Sequence, residues 1–135
     1  MDKRYFKTQP MEHQVEAFNL VKNQDYFALF MDMGTGKTKV TIDDMSFLYL
    51  HNKVKFVLVI APNSNYMTWA DEIKTHSSVR TNVFRYKIDK KFIFKDDSLN
   101  YYLINTEAFS HQSGIAKVEN YVQQMRNSMA CVVDE

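Results

Sequence analysis

Four short runs of apolar residues constrain the fold of this 135-residue chain more than any other feature of its sequence. Each run is continuous rather than alternating, which is typical of strands buried on both faces of a parallel sheet. The stretches between the runs carry apolar residues at helical spacing, and strands that alternate with helices predict βαβ units. We therefore expect an α/β fold with a mostly parallel central sheet and helices on both faces. The predicted strands are residues 27–30, 56–60, 101–104 and 129–133, and the predicted helices are residues 11–22, 37–50, 66–77 and 115–126.

Residues 83–95 carry a different pattern. Two short apolar segments, residues 83–86 and 92–94, flank the polar residues 87–91. Short apolar segments on either side of a polar turn are typical of a β-hairpin. We therefore expect a small β-hairpin insertion around residues 83–95, with one of its strands a candidate for the edge of the main sheet.

The length and composition of the chain indicate one domain and exclude several classes of protein. Domains commonly have about 100–150 residues, and hydrophobic residues make up 45% of this chain, enough to build a core. No apolar run approaches the ~20 residues that span a bilayer, and no apolar stretch follows the charged N-terminus as a secretory signal requires. A net charge of +1 argues neither for nor against nucleic acid. The single Cys131 predicts a reducing compartment, so we expect the cytoplasm, or a host's cytoplasm if the source is a virus.

A glycine-rich turn lies between the first predicted strand and the second predicted helix. Gly34 and Gly36 precede Lys37 and Thr38, as at the end of the general phosphate-loop pattern, although Met31 stands where that pattern begins with glycine. Glycines let backbone N–H groups turn toward an anion, and the following helix presents its positive end. We expect Lys37 to reach the β and γ phosphates of a nucleotide and the Thr38 hydroxyl to ligate Mg²⁺. An ordinary surface loop is the alternative.

The last predicted strand ends in two carboxylates, Asp134 and Glu135. Ligands of open α/β sheets bind beyond the carboxyl ends of the strands. We expect Asp134 to hold Mg²⁺ through water, because this ion keeps much of its hydration shell, and Glu135 to orient or deprotonate the attacking water. A solvated pair of acids closing a strand is the alternative. Taken with the phosphate loop upstream, the pair predicts ATP and Mg²⁺ as cofactors.

Five segments follow one another in an order that is specific when they are taken jointly. They are PMEHQ at 10–14, MGTGKT at 33–38, VIAPNSNYMTW at 59–69, LINTEAF at 103–109 and CVVDE at 131–135. In this order they resemble the motifs of the superfamily-two helicases, and most closely those of the Snf-type DNA translocases related to chromatin remodelers. The resemblance implies the N-terminal RecA-like domain of a P-loop NTPase motor, covering residues 1–135 and incomplete at its C-terminal end.

The resemblance also implies a role for each matching residue. It assigns Gln14 to the adenine edge, which a side-chain amide can read with one donor and one acceptor. It assigns two loops to the nucleic-acid backbone, because short polar side chains suit phosphate contacts. Trp69 falls on the helix after the first loop, where we interpret it as a packing residue rather than a base-stacking platform. The nucleotide-binding residues are Gln14, Met33, Gly34, Thr35, Gly36, Lys37 and Thr38. The nucleic-acid-contacting residues are Pro62, Asn63, Ser64, Thr106 and Glu107.

As a whole, the resemblance implies the ATP-binding half of an ATP-dependent DNA helicase or translocase, with Lys37 and Glu135 as catalytic residues. Motors of this family hold ATP between two RecA-like domains, and arginine fingers can contribute about 10³–10⁵ in rate. We therefore expect these residues alone to be weakly active, with a second RecA-like domain and double-stranded DNA as partners. One alternative is a motor that acts on RNA or within a restriction complex. The other is a short, non-catalytic P-loop module that binds a partner.

Overall fold

The computed structural model describes residues 4–22, 36–62, 65–110 and 112–134. Within these residues helices and strands are interspersed along the chain and the strands are parallel, which confirms the predicted α/β class. The helices are α1 Glu12–Val21, α2 Lys37–Leu50, α3 Tyr66–His76, α4 Thr106–Ser110 and α5 Gln112–Met125. The strands are β1 Phe56–Ala61, β2 Thr81–Arg85, β3 Leu99–Asn105 and β4 Met129–Val133. No helix in the described ranges is long and apolar enough to cross a membrane.

The four strands form one parallel sheet in the order β2-β3-β1-β4. β1 lies inside this sheet, so that Phe56 is in register with Asn100 of β3 on one side and with Met129 of β4 on the other. All six residues of β1 are buried. A strand with neighbours on both edges and helices on both faces has no polar side to present, which explains its unbroken apolar sequence. The parallel sheet is confirmed, and the predicted strand at residues 27–30 lies outside the described residues.

Helices cover both faces of the sheet, as predicted. Successive side chains of a strand point to opposite faces, and β1 uses both. Val57 lies in one apolar cluster with Ile42 of α2 and Ile73 of α3. Leu58, its neighbour, lies in a second cluster with Val118 of α5. The sheet therefore separates two cores, and α2 and α3 share the same face.

The N-terminal segment fixes α1 against α2. Phe6, Phe18 of α1 and Phe47 of α2 are buried in a third cluster. Their rings meet edge to face, with centroids 4.9 Å apart for Phe6 and Phe18 and 5.8 Å apart for Phe18 and Phe47. Aromatic pairs favour this arrangement because the positive ring edge meets the negative ring face. The contacts hold α1 beside the helix that begins at Lys37.

The expected β-hairpin at residues 83–95 is wrong in its second strand. The first segment forms part of β2, which pairs in parallel with β3 at one side of the sheet. Residues 91–95 have no regular secondary structure. Phe92 is buried in the second cluster, and the side chain of Asn82 donates a hydrogen bond of 2.7 Å to the Ile93 carbonyl. Phe92 therefore anchors a loop to the sheet instead of building a strand, whereas the side chain of Ile93 is exposed.

Candidate functional site

The carboxyl ends of the parallel strands bring several predicted site residues to one edge of the sheet. Pro62 follows β1, Thr106 follows β3 and Asp134 follows β4. The register aligns the last residues of β1 and β3, and the Asp134 N–H donates to the Ile60 carbonyl at 2.8 Å. Asp134 therefore continues the ladder directly beside β1. This is the edge at which open α/β sheets bind ligands.

The helix that begins at Lys37 also reaches this edge. α2 ends at Leu50, and β1 begins at Phe56 after a short connection. A helix of 14 residues is about 21 Å long, close to the length of a six-residue strand. Because α2 packs on the sheet through Ile42 and leaves its C-terminal end at the start of β1, its N-terminal end lies toward the carboxyl edge. Lys37 and Thr38 are half-buried there, in the first turn, whose N–H groups can bind an anion.

Gly36 is the residue that lets this helix begin so close to α1. Its φ of 79° lies in the left-handed region, and it is the N-terminal cap of α2. A Cβ at this position would lie 2.0 Å from the Gln14 Nε2 atom. The left-handed backbone conformation therefore favours glycine, and any larger residue here would also displace the Gln14 amide.

Gln14, the residue predicted to contact adenine, lies beside Gly36 at the start of α2. Its side chain is buried, its Oε1 accepts a hydrogen bond of 2.8 Å from the Met11 N–H, and its Nε2 donates to the Gly36 carbonyl at 3.4 Å. The amide that would read adenine thus holds the start of α1 against the start of α2. These two bonds use one of the two Nε2 donors and one of the two Oε1 lone pairs, so a donor and an acceptor of the amide remain for a base.

Trp69 packs in the core, as the sequence predicts, and also makes a polar contact that the sequence does not predict. The predicted packing role is confirmed, because the side chain is 3% exposed and lies in the first cluster. The indole Nε1–H also donates a hydrogen bond of 2.9 Å to Oδ2 of Asp134. The indole N–H of a buried tryptophan usually has a hydrogen-bond acceptor, so the predicted burial of Trp69 already implied that it has a polar partner. The sequence does not identify which of many acceptors it is, 65 residues away.

The second predicted loop is exposed at the same edge. Thr106 and Glu107 begin α4 with exposed side chains, and Asn105 accepts a hydrogen bond of 2.7 Å at Oδ1 from the Ala108 N–H. An asparagine at a helix start commonly satisfies such an N–H. Asn105 therefore orients this loop. The predicted site residues that lie outside the described residues are Met33, Gly34, Thr35, Asn63, Ser64 and Glu135.

The donor set fits magnesium bound together with a nucleotide. Mg²⁺ is usually held by one or two carboxylates, retained waters and substrate phosphates rather than by a cage of protein ligands. Asp134 supplies a carboxylate and Thr38 a hydroxyl, beside the cationic Lys37. In the described parts of the chain, no group of three or more His, Cys, Asp or Glu residues is arranged to hold a metal ion. One carboxylate and one hydroxyl, from Asp134 and Thr38, suit an ion that brings phosphate ligands with it.

Two buried acids on α2 were not identified from the sequence. Asp43 is 1% exposed and pairs with Lys39 through Oδ2 at 2.8 Å, whereas Asp44 is fully buried. Neither carboxylate oxygen of Asp44 has a hydrogen-bond partner in the described structure. Burial raises the pKa of Asp44 from its ordinary 3.8 to about 7. Burial also raises the pKa of Asp43 to about 6, against the opposing hydrogen bond and charge of Lys39.

The raised pKa of Asp44 predicts a pH-dependent stability. Between pH 4 and pH 7 the unfolded chain ionises this carboxyl while the folded chain keeps it protonated, so the contribution of Asp44 to stability falls as pH rises. Asp44→Asn removes this contribution. We expect the free energy of unfolding of the variant relative to wild type to rise across this window by an amount on the order of 4 kcal/mol.

Urea unfolding at closely spaced pH values measures this difference. Asp71→Asn, at an exposed position on α3, is the matched control and should follow wild type. A constant offset between Asp44→Asn and wild type from pH 4 to pH 8 contradicts the prediction.

Comparisons with known proteins agree with this architecture. The family described as type III restriction enzyme, res subunit (ResIII), matches residues 7–135. No curated protein shows a significant match to the sequence. The solved SWI2/SNF2 ATPase core of Sulfolobus solfataricus in complex with dsDNA is similar in structure, with a TM-score of 0.65 and 18% sequence identity. That similarity covers 99% of this chain and 33% of the other, so the chain spans about a third of that ATPase core. The predicted RecA-like fold is confirmed, and the match to the ResIII family confirms the predicted resemblance to superfamily-two helicases.

Proposed function

The chain belongs to the family of type III restriction enzyme res subunits, and from this premise we propose that it is the ATP-binding domain of a motor that moves along double-stranded DNA. The observation that carries the proposal is the position of Lys37 and Thr38 at the start of α2, toward the sheet edge that presents Asp134. A similar ATPase core has been solved with dsDNA, which supports this choice of nucleic acid.

The residues at this edge divide the chemistry of hydrolysis between them. Lys37 compensates the charge that develops on the β and γ phosphates. Thr38 and Asp134 would hold Mg²⁺, which when bound polarises the phosphates. Glu135, outside the described residues, would orient or deprotonate the attacking water. The buried Gln14 amide would read the adenine.

The nucleic acid would lie along the same edge, on the side of β1 away from β4. Pro62 follows β1, and the exposed Thr106 and Glu107 follow β3, the next strand in the sheet. Contacts of this kind hold the backbone without reading sequence. A second RecA-like domain would complete the ATP site, because the chain spans about a third of the similar ATPase core. We place the activity in the cytoplasm, as its dependence on ATP and the single cysteine suggest.

The experiment is an ATPase assay on the full-length protein, with Mg²⁺ and either no nucleic acid, duplex DNA or single-stranded RNA. We expect stimulation by duplex DNA and ATP-dependent displacement of a third strand bound to that duplex. Stimulation by RNA alone would replace the proposal with an RNA motor. Failure to bind ATP with Mg²⁺ would overturn it in favour of a non-catalytic module.

The family match favours one alternative specifically, a motor that works inside a restriction complex. Such a motor would translocate on duplex DNA in the same assay. It would also make DNA cleavage by its complex depend on ATP hydrolysis, whereas a remodeler-like translocase would show no coupled cleavage.

A further inference from the structure

The loop predicted to contact nucleic acid is joined to the candidate metal ligand by consecutive hydrogen bonds. The Asn65 N–H donates to the Pro62 carbonyl at 2.9 Å, and the Trp69 N–H donates to the Asn65 carbonyl at 3.2 Å. The Trp69 indole then donates to Asp134 at 2.9 Å. Pro62 begins the loop after β1, and Asp134 follows β4. A path of three bonds therefore runs from one predicted binding region to the other.

Trp69 is buried in the middle of this path. Its side chain is 3% exposed and lies in the cluster that contains Ile42 and Met45 of α2. The same ring therefore contacts the core beneath the phosphate-binding helix and the carboxylate beside the candidate metal position. A shift of the first turn of α3 would move the indole N–H relative to Asp134, because Trp69 lies in that turn.

We propose that Trp69 is a positioning residue that orients Asp134 for Mg²⁺ and couples the Pro62 loop to the metal site. The indole N–H occupies Oδ2 of Asp134, which leaves Oδ1 as the oxygen that can face the hydrated ion. Partners that orient metal-binding carboxylates in this way commonly change metal affinity or activity about 10–100-fold when they are removed. Nucleic acid bound at the loop would alter the orientation of the carboxylate, and by linkage the metal would alter the affinity for nucleic acid. This inference rests on the proposed function.

The test is Trp69→Phe in the full-length protein, which removes the indole N–H and keeps an aromatic ring in the cluster. We expect the Mg²⁺ concentration that half-saturates binding of a fluorescent ATP analogue, and the concentration for half-maximal ATP hydrolysis, each to rise about 10-fold. We also expect the ratio of DNA-stimulated to basal hydrolysis, measured at saturating Mg²⁺, to fall. Asp134→Asn is the benchmark, and in its background Trp69→Phe should produce no further change in the Mg²⁺ requirement.

Ile73→Ala is the matched control. Ile73 lies on the same helix as Trp69 and is buried in the same cluster, and among the described contacts no hydrogen bond joins its side chain to Asp134. This variant loses packing and should keep the wild-type Mg²⁺ requirement and DNA stimulation. If Trp69→Phe behaves like Ile73→Ala while Asp134→Asn is impaired, the inference fails and the proposed function stands. If the Mg²⁺ requirement rises and DNA stimulation is unchanged, the coupling to the loop is overturned. If wild type shows no Mg²⁺-dependent ATP hydrolysis, the proposed function itself fails.

Discussion

Lys37→Ala is expected to lower the rate of DNA-stimulated ATP hydrolysis by the full motor at least about 100-fold. Lys37 stands in the first turn of α2, and under the proposed function its ammonium group would compensate the charge that builds up on the transferred phosphoryl group. Removing one such preorganised partner typically costs about 10²–10³ in kcat. The measurement is kcat at saturating ATP, Mg²⁺ and duplex DNA.

Lys53→Ala is the matched control for this change. Lys53 is an exposed lysine beyond the opposite end of the same helix, so its loss alters the net charge equally and leaves the candidate site intact. Hydrolysis by Lys53→Ala should equal that of wild type. A Lys37→Ala motor with more than a tenth of the wild-type rate would remove Lys37 from the catalytic machinery.

Asn100→Ala is expected to lower the free energy of unfolding by about 3 kcal/mol or more. The fully buried Asn100 side chain donates hydrogen bonds to the carbonyls of Lys55, Lys95 and Ser98, and accepts them from Asn82 Nδ2 and the Lys95 N–H. Each buried group left unpaired costs about 1–3 kcal/mol. The variant removes the hydrogen-bond partner shared by strands β2 and β3 and by the loop of residues 86–98 that joins them. Urea unfolding followed by circular dichroism measures the loss.

Asn82→Ala is the control that distinguishes the loss of this hydrogen-bond network from the loss of an asparagine in general. Asn82 is half-buried and supplies one donor to Asn100 and one to Ile93. Its removal should cost about 1 kcal/mol, the usual contribution of a hydrogen bond at a partly solvated site. Equal stability losses in the two variants would show that Asn100 is not the centre of the network.

β1 and β3 were predictable because burial on both faces leaves an unmistakable apolar run. β1 differs from its prediction by one residue at Ala61, and β4 matches the predicted residues 129–133. The expected burial of β4 on both faces is wrong, because its residues are half-buried or exposed. The second strand of the hairpin was not predictable in this way. Residues 92–94 have the apolar composition of a strand, yet Phe92 uses it to fill the core while polar side chains bind the loop backbone. An apolar composition indicates that residues are buried, but it does not indicate which groups form hydrogen bonds with their backbone N–H and C=O groups.

The candidate site was predictable only where a motif places a residue at the end of an element. Lys37 and Asp134 follow from their position at a helix start and a strand end. The bond between Trp69 and Asp134 does not, because it depends on how α3 lies across the sheet. The burial of Asp44 could not be predicted from the sequence for a similar reason. An acid within an apolar helix face is expected at the surface, and α2 buries nine consecutive residues.

The position of β1 inside the sheet has a consequence for synthesis of the chain. Its partners in β3 and β4 lie 44 and 73 residues further along, as the register of Phe56 with Asn100 and Met129 shows. At about 5–20 residues per second, a nascent chain would carry an unpaired β1 for several seconds before the ribosome delivers the second partner. Six consecutive apolar residues without charge are a template for aggregation during that interval. A chaperone that shields residues 56–61 during synthesis should therefore raise the yield of folded protein.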